Sequence, residues 1–117
     1  STRWIDMEYL SKVDKFVLAY LWHEYGGSTY FSRGSESPEE FLARFILDDI
    51  FSGRRPGHYE ELRKSIISSI KKLSEYWMLQ VSGYDIRLTS FGQQVAKGIS
   101  KEEYEKIKEE LIRGKIS

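Results

Sequence analysis

The spacing of the apolar residues changes from three or four to two between residues 58 and 88, and this change constrains the fold more than any other feature of the sequence. Four apolar residues recur at helical spacing and form one stripe on a helix that begins near His58. They are Leu62, Ile66, Ile70 and Leu73. The runs Trp77 to Val81 and Tyr84 to Leu88 flank Ser82-Gly83, and the second run alternates apolar with polar residues, as a strand does. The sequence therefore predicts a helix followed by a tight two-stranded hairpin.

A helix and a short strand are predicted before this unit. Apolar residues at three- and four-residue spacing indicate a helix over Lys12–Tyr25. Ser11 and Asp14 form an S-x-x-D start signal for it, and Gly26-Gly27 gives the stop. The run Thr29 to Ser32 is rich in β-prone residues between glycine and serine clusters, so it predicts one brief strand.

Three further helices are predicted from start and stop signals. Ser37-Pro38-Glu39-Glu40 combines a capping serine, a proline with the right fixed φ and two acids suited to the positive helix end. The helix that it opens should run to about Phe51, where Ser52-Gly53 ends it. Thr89 can cap a short helix through about Lys97, and a capping box at Ser100 opens a last helix to about Arg113.

Length and composition favour one small globular domain. The chain has 117 residues, 40% of them hydrophobic and 31% charged, which suits a single core and argues against global disorder. The absence of cysteine excludes disulfides and thiolate metal sites, and no apolar run approaches the roughly 18 residues of a membrane span. We therefore expect one α+β, mainly helical domain over residues 1–117, located in the cytoplasm. Residues 1–10 are either an additional helical turn or an arm that packs elsewhere.

The order helix, strand, helix, turn, helix, hairpin, helix resembles the winged helix-turn-helix superfamily, with an additional C-terminal helix over residues 100–113. The resemblance is sharpest at Leu88-Thr89 with Gly92 and Ala96, where a leucine-threonine pair opens the helix after the hairpin. The stretch from Ser37 to Leu111 resembles the winged-helix module of archaeal superfamily-2 DNA helicases. The last half equally resembles MarR-like and PadR-like transcription regulators. The resemblance implies that residues 58–75 are a helix that faces DNA.

Charge is distributed unevenly along the chain, although its formal net charge is zero. Residues 54–72 contain six cationic side chains and only two acids, Glu60 and Glu61, whereas residues 36–49 contain five acids and only Arg44 as a base. A phosphate backbone attracts such a basic segment through charge pairing and counterion release. The six candidate phosphate-binding residues are Arg54, Arg55, Arg63, Lys64, Lys71 and Lys72.

Four more residues are candidates for contact with nucleic acid. Ser65 and Ser68 lie on the same predicted helix and could approach base edges. His58, at the helix start, is either a cap or a phosphate contact, and Arg87 lies beside the short hairpin loop. The alternative is that these polar residues only solvate the outer face of an amphipathic helix.

The last helix carries an apolar stripe for which two interpretations stay open. Tyr104, Ile107 and Leu111 either pack on their own domain or form a homodimer interface. Trp4, Ile5 and Tyr9 could join that interface. A two-fold dimer would place two recognition helices roughly 34 Å apart and favour a palindromic site.

No motif in the sequence supports catalysis. The chain has two histidines, no H-E-x-x-H and no phosphate-binding glycine-lysine loop, so we expect no metal, no cofactor and no enzymatic activity. The leading hypothesis is a DNA-binding transcriptional regulator. The alternative is a protein-interaction adaptor, or an accessory module of a replication or repair assembly such as a superfamily-2 helicase.

Overall fold

The computed structural model describes residues 9–30, 34–83 and 85–117. Within these residues the chain forms helices packed on a small antiparallel sheet, and no described helix is long and apolar enough to cross a membrane. Each element is numbered in chain order. The elements are α1 Lys12–Tyr25, β1 Ser28–Tyr30, α2 Pro38–Phe51, α3 Tyr59–Glu75, β2 Leu79–Val81, β3 Asp85–Leu88, α4 Ser90–Lys97 and α5 Lys101–Ile112.

The first two helices begin with the capping boxes that the sequence predicts. The Ser11 hydroxyl accepts a hydrogen bond from the Asp14 backbone N–H at 3.1 Å, and the Asp14 carboxylate accepts one from the Ser11 N–H at 2.9 Å. Ser37 and Glu40 form the same reciprocal pair at the start of α2. Because these contacts satisfy N–H groups that a helix leaves unpaired, three residues of local sequence suffice to fix each helix start. Both predictions are confirmed.

The three strands pair in the order β1-β3-β2, and both pairings are antiparallel. The Leu88 N–H donates to the Gly27 carbonyl at 2.7 Å, so the sheet is joined to the turn that ends α1. Thr29, Ile86 and Val81 lie side by side in one row across the sheet. The molecule is therefore a mostly helical α+β domain, and its element and strand orders are compatible with a winged-helix layout.

The hairpin differs from its prediction at its first residues. Trp77 was expected in a strand, but β2 begins at Leu79. The Met78 N–H instead donates to the Leu73 carbonyl at 2.9 Å, which closes the last turn of α3 with Trp77 in the left-handed conformation at φ 61°. Strand preference is local, and the helix-ending hydrogen bonds override it here. At β1 and β3, residues 31, 32 and 84 of the predicted strands lie outside the described residues.

Gly92 allows the helix after the hairpin to pack tightly on it. A Cβ atom at this position would lie 2.0 Å from the Met78 carbonyl oxygen, which no side chain can occupy without moving the backbone. The Thr89 hydroxyl caps α4 through the Gly92 N–H at 3.0 Å and also donates to the Trp77 carbonyl at 2.5 Å. Thr89 and Gly92 thus hold the start of the hairpin, at Trp77 and Met78, against the start of α4.

The apolar stripe of α5 packs inside its own domain. Tyr104 and Leu111 are fully buried and Ile107 is 7% exposed, so these three residues are not free to form a homodimer interface. The Tyr104 ring stacks on Phe16 of α1 at 5.9 Å, and its hydroxyl donates to Glu24 at 2.7 Å. Burial together with this acceptor raises the pKa of the Tyr104 hydroxyl well above its usual value.

Of the two interpretations of the α5 stripe, the structure therefore shows packing on its own domain, where Tyr104 contacts α1. Tyr9 is 59% exposed, whereas Trp4 and Ile5 lie outside the described residues.

Candidate nucleic-acid interface

Helix α3 separates an apolar face from a polar one. Leu62, Ile66, Ile70 and Leu73 are all completely buried in the core, as the spacing predicts. The residues on the opposite face are exposed. They are Glu60, Glu61, Lys64, Ser68, Lys71 and Glu75. Because the apolar stripe fixes the rotation of the helix about its axis, the centre of the outward face is set at Lys64, Ser68 and Lys71.

Lys72 does not belong to this outward face. Its ammonium lies 2.6 Å from the Asp14 carboxylate, which is almost fully buried, and it also donates to the Tyr9 carbonyl at 2.8 Å. The Ser69 hydroxyl donates to the other Asp14 oxygen at 2.6 Å. Lys72 thus compensates a buried negative charge inside the fold, and we remove it from the set of candidate phosphate contacts.

Arg63 and Arg87 also have acidic partners. Arg63 lies 3.6 Å from Glu40 of α2 and 3.6 Å from Glu60. Arg87 lies 2.6 Å from Asp85 on the same strand. The Ser82 hydroxyl and the Arg87 guanidinium hold the pKa of the Asp85 carboxyl below its usual value, and Asp85 raises the pKa of Arg87. Both arginines therefore have part of their charge offset before any ligand arrives.

Four of the predicted cations have no ionic partner among the residues that the structure describes: Arg54, Arg55, Lys64 and Lys71. Each of the four is exposed. Arg54 and Arg55 lie in the turn that leads into α3, beside an open groove of about 570 Å³. The Arg55 guanidinium lies 4.7 Å from the centre of the Tyr59 ring, which orients it without neutralising it.

Ser65 and Ser68 differ in their surroundings although the sequence treats them alike. Ser68 is exposed, whereas Ser65 is half-buried. Both line an open groove of about 440 Å³ between α1, α3 and the C-terminal residues Ile116 and Ser117. Ser68 thus lies between the lysines of the outward face, while Ser65 is partly covered by its surroundings.

His58 does not cap α3, which was one of the two roles that the sequence left open, and it has a structural contact instead. No side-chain hydrogen bond caps α3 at His58, and its Nε2 instead donates to the Leu111 carbonyl at 3.0 Å. Its ring also packs against Gly114, where an added Cβ would lie 3.4 Å from Nδ1. This contact joins the end of α5 to the start of α3 and brings the exposed Arg113 to the same end of the molecule as Arg54.

The sequence does not indicate that Arg113 lies at the same end of the molecule as Arg54, because no residue near Arg113 in the chain marks this position. The two segments are joined by a contact between residues 53 positions apart in the chain.

Acidic residues limit the basic surface at both ends of α3. Glu60 and Glu61 lie in its first turn and Glu75 is its last residue, and all three are exposed. A phosphate chain that follows the whole helix would meet these carboxylates. The charge of the surface therefore favours phosphate contact at Lys64, at Lys71 and at the Arg54-Arg55 turn. The acids disfavour a phosphate chain that runs along the whole length of α3.

Within the described ranges, no three His, Cys, Asp or Glu side chains lie close enough together to hold a metal ion. The prediction that the protein uses no metal stays a prediction. No protein-family model, no curated protein and no solved structure matches this chain.

Proposed function

We propose that the protein is a non-catalytic DNA-binding domain that contacts phosphates through the outward face of α3 and the preceding turn. One observation carries the proposal. The apolar face of α3 is wholly buried, while Lys64 and Lys71 are exposed on the opposite face with no acidic partner among the described residues. A helix held in this way offers its cations to a groove without rearrangement.

The turn before α3 extends the same surface. Arg54 and Arg55 are exposed and unpaired with any described acid, and arginine can bind a phosphate through two parallel N–H donors. Ser68, between the two lysines, is the residue of this face best suited to a base edge. In this proposal the protein acts by binding at a position on DNA, as a regulator of transcription does.

A salt series tests the proposal directly. Fluorescence anisotropy would follow a labelled duplex of 24 base pairs and a single strand of the same length, between 50 and 200 mM salt. For a duplex, each phosphate contact lowers the slope of log affinity against log salt by about 0.9. The double substitution Lys64→Gln with Lys71→Gln should therefore make the slope shallower by about 1.8.

A control pair of equal charge separates local contact from a general change in charge. Lys101→Gln with Lys106→Gln removes two exposed lysines from α5 instead. This pair should leave the slope within about a tenth of the wild-type value if the contacts are local to α3. Equal losses in both pairs, or no salt-dependent binding by the wild type, would contradict the proposal.

A further inference from the structure

Trp77 is displayed on the surface at a position that suits tryptophan poorly. Its side chain is 78% exposed, the largest exposed fraction among the large apolar residues that the structure describes. Its φ of 61° lies in the left-handed region, which glycine adopts freely and a residue with a Cβ does not. The domain gains little packing from this side chain and holds it in an unfavourable conformation. Such a residue is expected to serve a contact outside the chain.

A groove of about 520 Å³ lies beside Trp77. Leu79 and Val81 of β2 contribute to it on one side, and Glu39 at the start of α2 and Ser74 near the end of α3 contribute on the other. The Ser74 hydroxyl oxygen is buried and has no hydrogen-bond partner in the described structure. A buried hydroxyl in this state is unusual in proteins.

The edge of the sheet faces this groove with unpaired backbone groups. The Ser82 N–H donates to the Asp85 carbonyl at 2.9 Å, and the Thr89 N–H donates to the Met78 carbonyl at 3.0 Å. Hydrogen-bonded pairs alternate along an antiparallel ladder, so Leu79 and Val81 direct their N–H and C=O groups away from β3. Leu79 is only 2% exposed, so the backbone groups open to a ligand are those of the partly exposed Val81. In the strand order β1-β3-β2, no other described strand pairs with that edge. An extended segment could add there as a fourth strand.

The charge at the groove indicates the chemistry of that segment. Glu36 and Glu40, which flank the start of α2, form ion pairs with Arg44 and Arg63. Glu39 lines the groove and forms no ion pair with any cation of the described ranges. A basic side chain would complement Glu39, whereas a phosphate would be repelled by it.

We propose that β2 and Trp77 bind an extended, basic segment of a protein partner, which pairs with the free edge of β2 and covers Trp77 with an apolar side chain. The main-chain hydrogen bonds come from the N–H and C=O groups of Val81. Glu39 selects a lysine or arginine. This surface is separate from the cations of the proposed DNA interface, so either proposal can fail without the other.

Peptide selection tests the proposal. A phage library of random 12-residue peptides is selected on the wild-type domain and depleted on the Trp77→Gly variant. The expected peptides contain at least one basic residue together with apolar residues at alternate positions, because a β-strand presents alternate side chains to one face. Their affinity should fall at least tenfold for Trp77→Gly and severalfold for Glu39→Gln. Glu102→Gln on the exposed side of α5 is the matched control and should leave the affinity unchanged.

Two further measurements distinguish a docking residue from a structural one. Trp77→Gly should raise the thermal midpoint by a few degrees while it abolishes peptide binding, because glycine relieves the left-handed backbone. Bound peptide should slow hydrogen exchange at the Val81 amide in the wild type. A bound peptide that protects other amides instead would contradict strand addition.

Three other outcomes overturn the proposal. The first is recovery of no peptide that prefers the wild type to Trp77→Gly. The second is a selected set without basic residues whose binding ignores Glu39→Gln. The third is a Trp77→Gly variant that loses affinity for duplex DNA and not for peptide, which would assign Trp77 to the nucleic-acid surface.

Discussion

Two pairs of residues on α3 have the same composition and spacing and lie one position apart in the chain. Ser68 and Lys71 are exposed on the outward face, with no acidic partner in the described structure. Ser69 and Lys72 bind the carboxylate of Asp14, which is 1% exposed. Successive helical residues are rotated by about 100°, so one step along the chain moves a serine and a lysine from solvent to the junction with α1. The comparison shows that position around the helix, and not residue type, decides which cation is available to a ligand.

The largest expected effect is the difference in stability between the Lys72 and Lys71 variants. Lys72→Met leaves the Asp14 carboxylate buried without its counter-ion, so the free energy of unfolding should fall by about 3 kcal/mol. Lys71→Met removes a solvated charge and should change it by less than about 0.5 kcal/mol. Urea unfolding followed by circular dichroism measures both variants.

A double-mutant cycle checks the cause of the loss at Lys72. Asp14→Ala combined with Lys72→Met should cost clearly less than the sum of the single variants, with a coupling of about 1 to 3 kcal/mol. If the proposed DNA interface is correct, DNA affinity should show the opposite ranking, since in that proposal Lys71 contacts phosphate and Lys72 does not. Equal stability of the two lysine variants would remove the distinction between the two pairs.

The two serines should differ in the same direction as the two lysines, with a smaller effect on stability. Ser69→Ala deletes a 2.6 Å hydrogen bond to a buried carboxylate and should destabilise the domain by about 1.5 to 2 kcal/mol. Ser68→Ala should change stability by less than about 0.5 kcal/mol, because its hydroxyl is exposed and alanine favours helix. Thermal unfolding of the two variants side by side provides the measurement. A Ser68→Ala loss as large as that of Ser69→Ala would show that the outward face is also structural.

The smallest effect concerns the pair of the buried Asp85 and the exposed Arg87 and depends on pH. Folding lowers the pKa of the Asp85 carboxyl below its ordinary value, so the folded domain binds that proton more weakly than the unfolded chain does. The stabilisation is therefore complete only well above the pKa of the unfolded chain, and it is lost as the pH falls through the lowered folded-state pKa. Compared with the wild type, Asp85→Asn should have a lower thermal midpoint at pH 6, and the difference should shrink by pH 2.5. A difference that stays constant over this range would show that the carboxylate contributes through packing alone.

Most of the helices could be predicted because their starting signals are local. The serine and carboxylate of each capping box lie three residues apart, and the hydrogen bonds that they form involve the same turn of helix. The burial of Leu62, Ile66, Ile70 and Leu73 could be predicted for a similar reason, since their spacing alone places them on one face.

The candidate site could be predicted only in part. Its helix and the exposed Lys64 and Lys71 are as expected, but Lys72 was grouped with them because adjacent lysines look equivalent in a sequence. The partner that distinguishes them, Asp14, lies 58 positions away, and its sequence signal was that of a helix cap. The helix cap at His58 and the strand position of Trp77 were wrong for the same reason, since each was assigned from neighbours in the chain.

The sequence by itself determined where the helices begin, which of their faces is apolar and that a hairpin follows α3, because each depends on contacts within a few residues. Three features were decided only by the tertiary structure. They are the cations that lack an acidic partner among the described residues, the contact of His58 with the end of α5, and the groove beside the edge of β2. These features depend on contacts between distant parts of the chain, which form only when the core packs. Those contacts decide which charges and backbone groups have a partner and which do not.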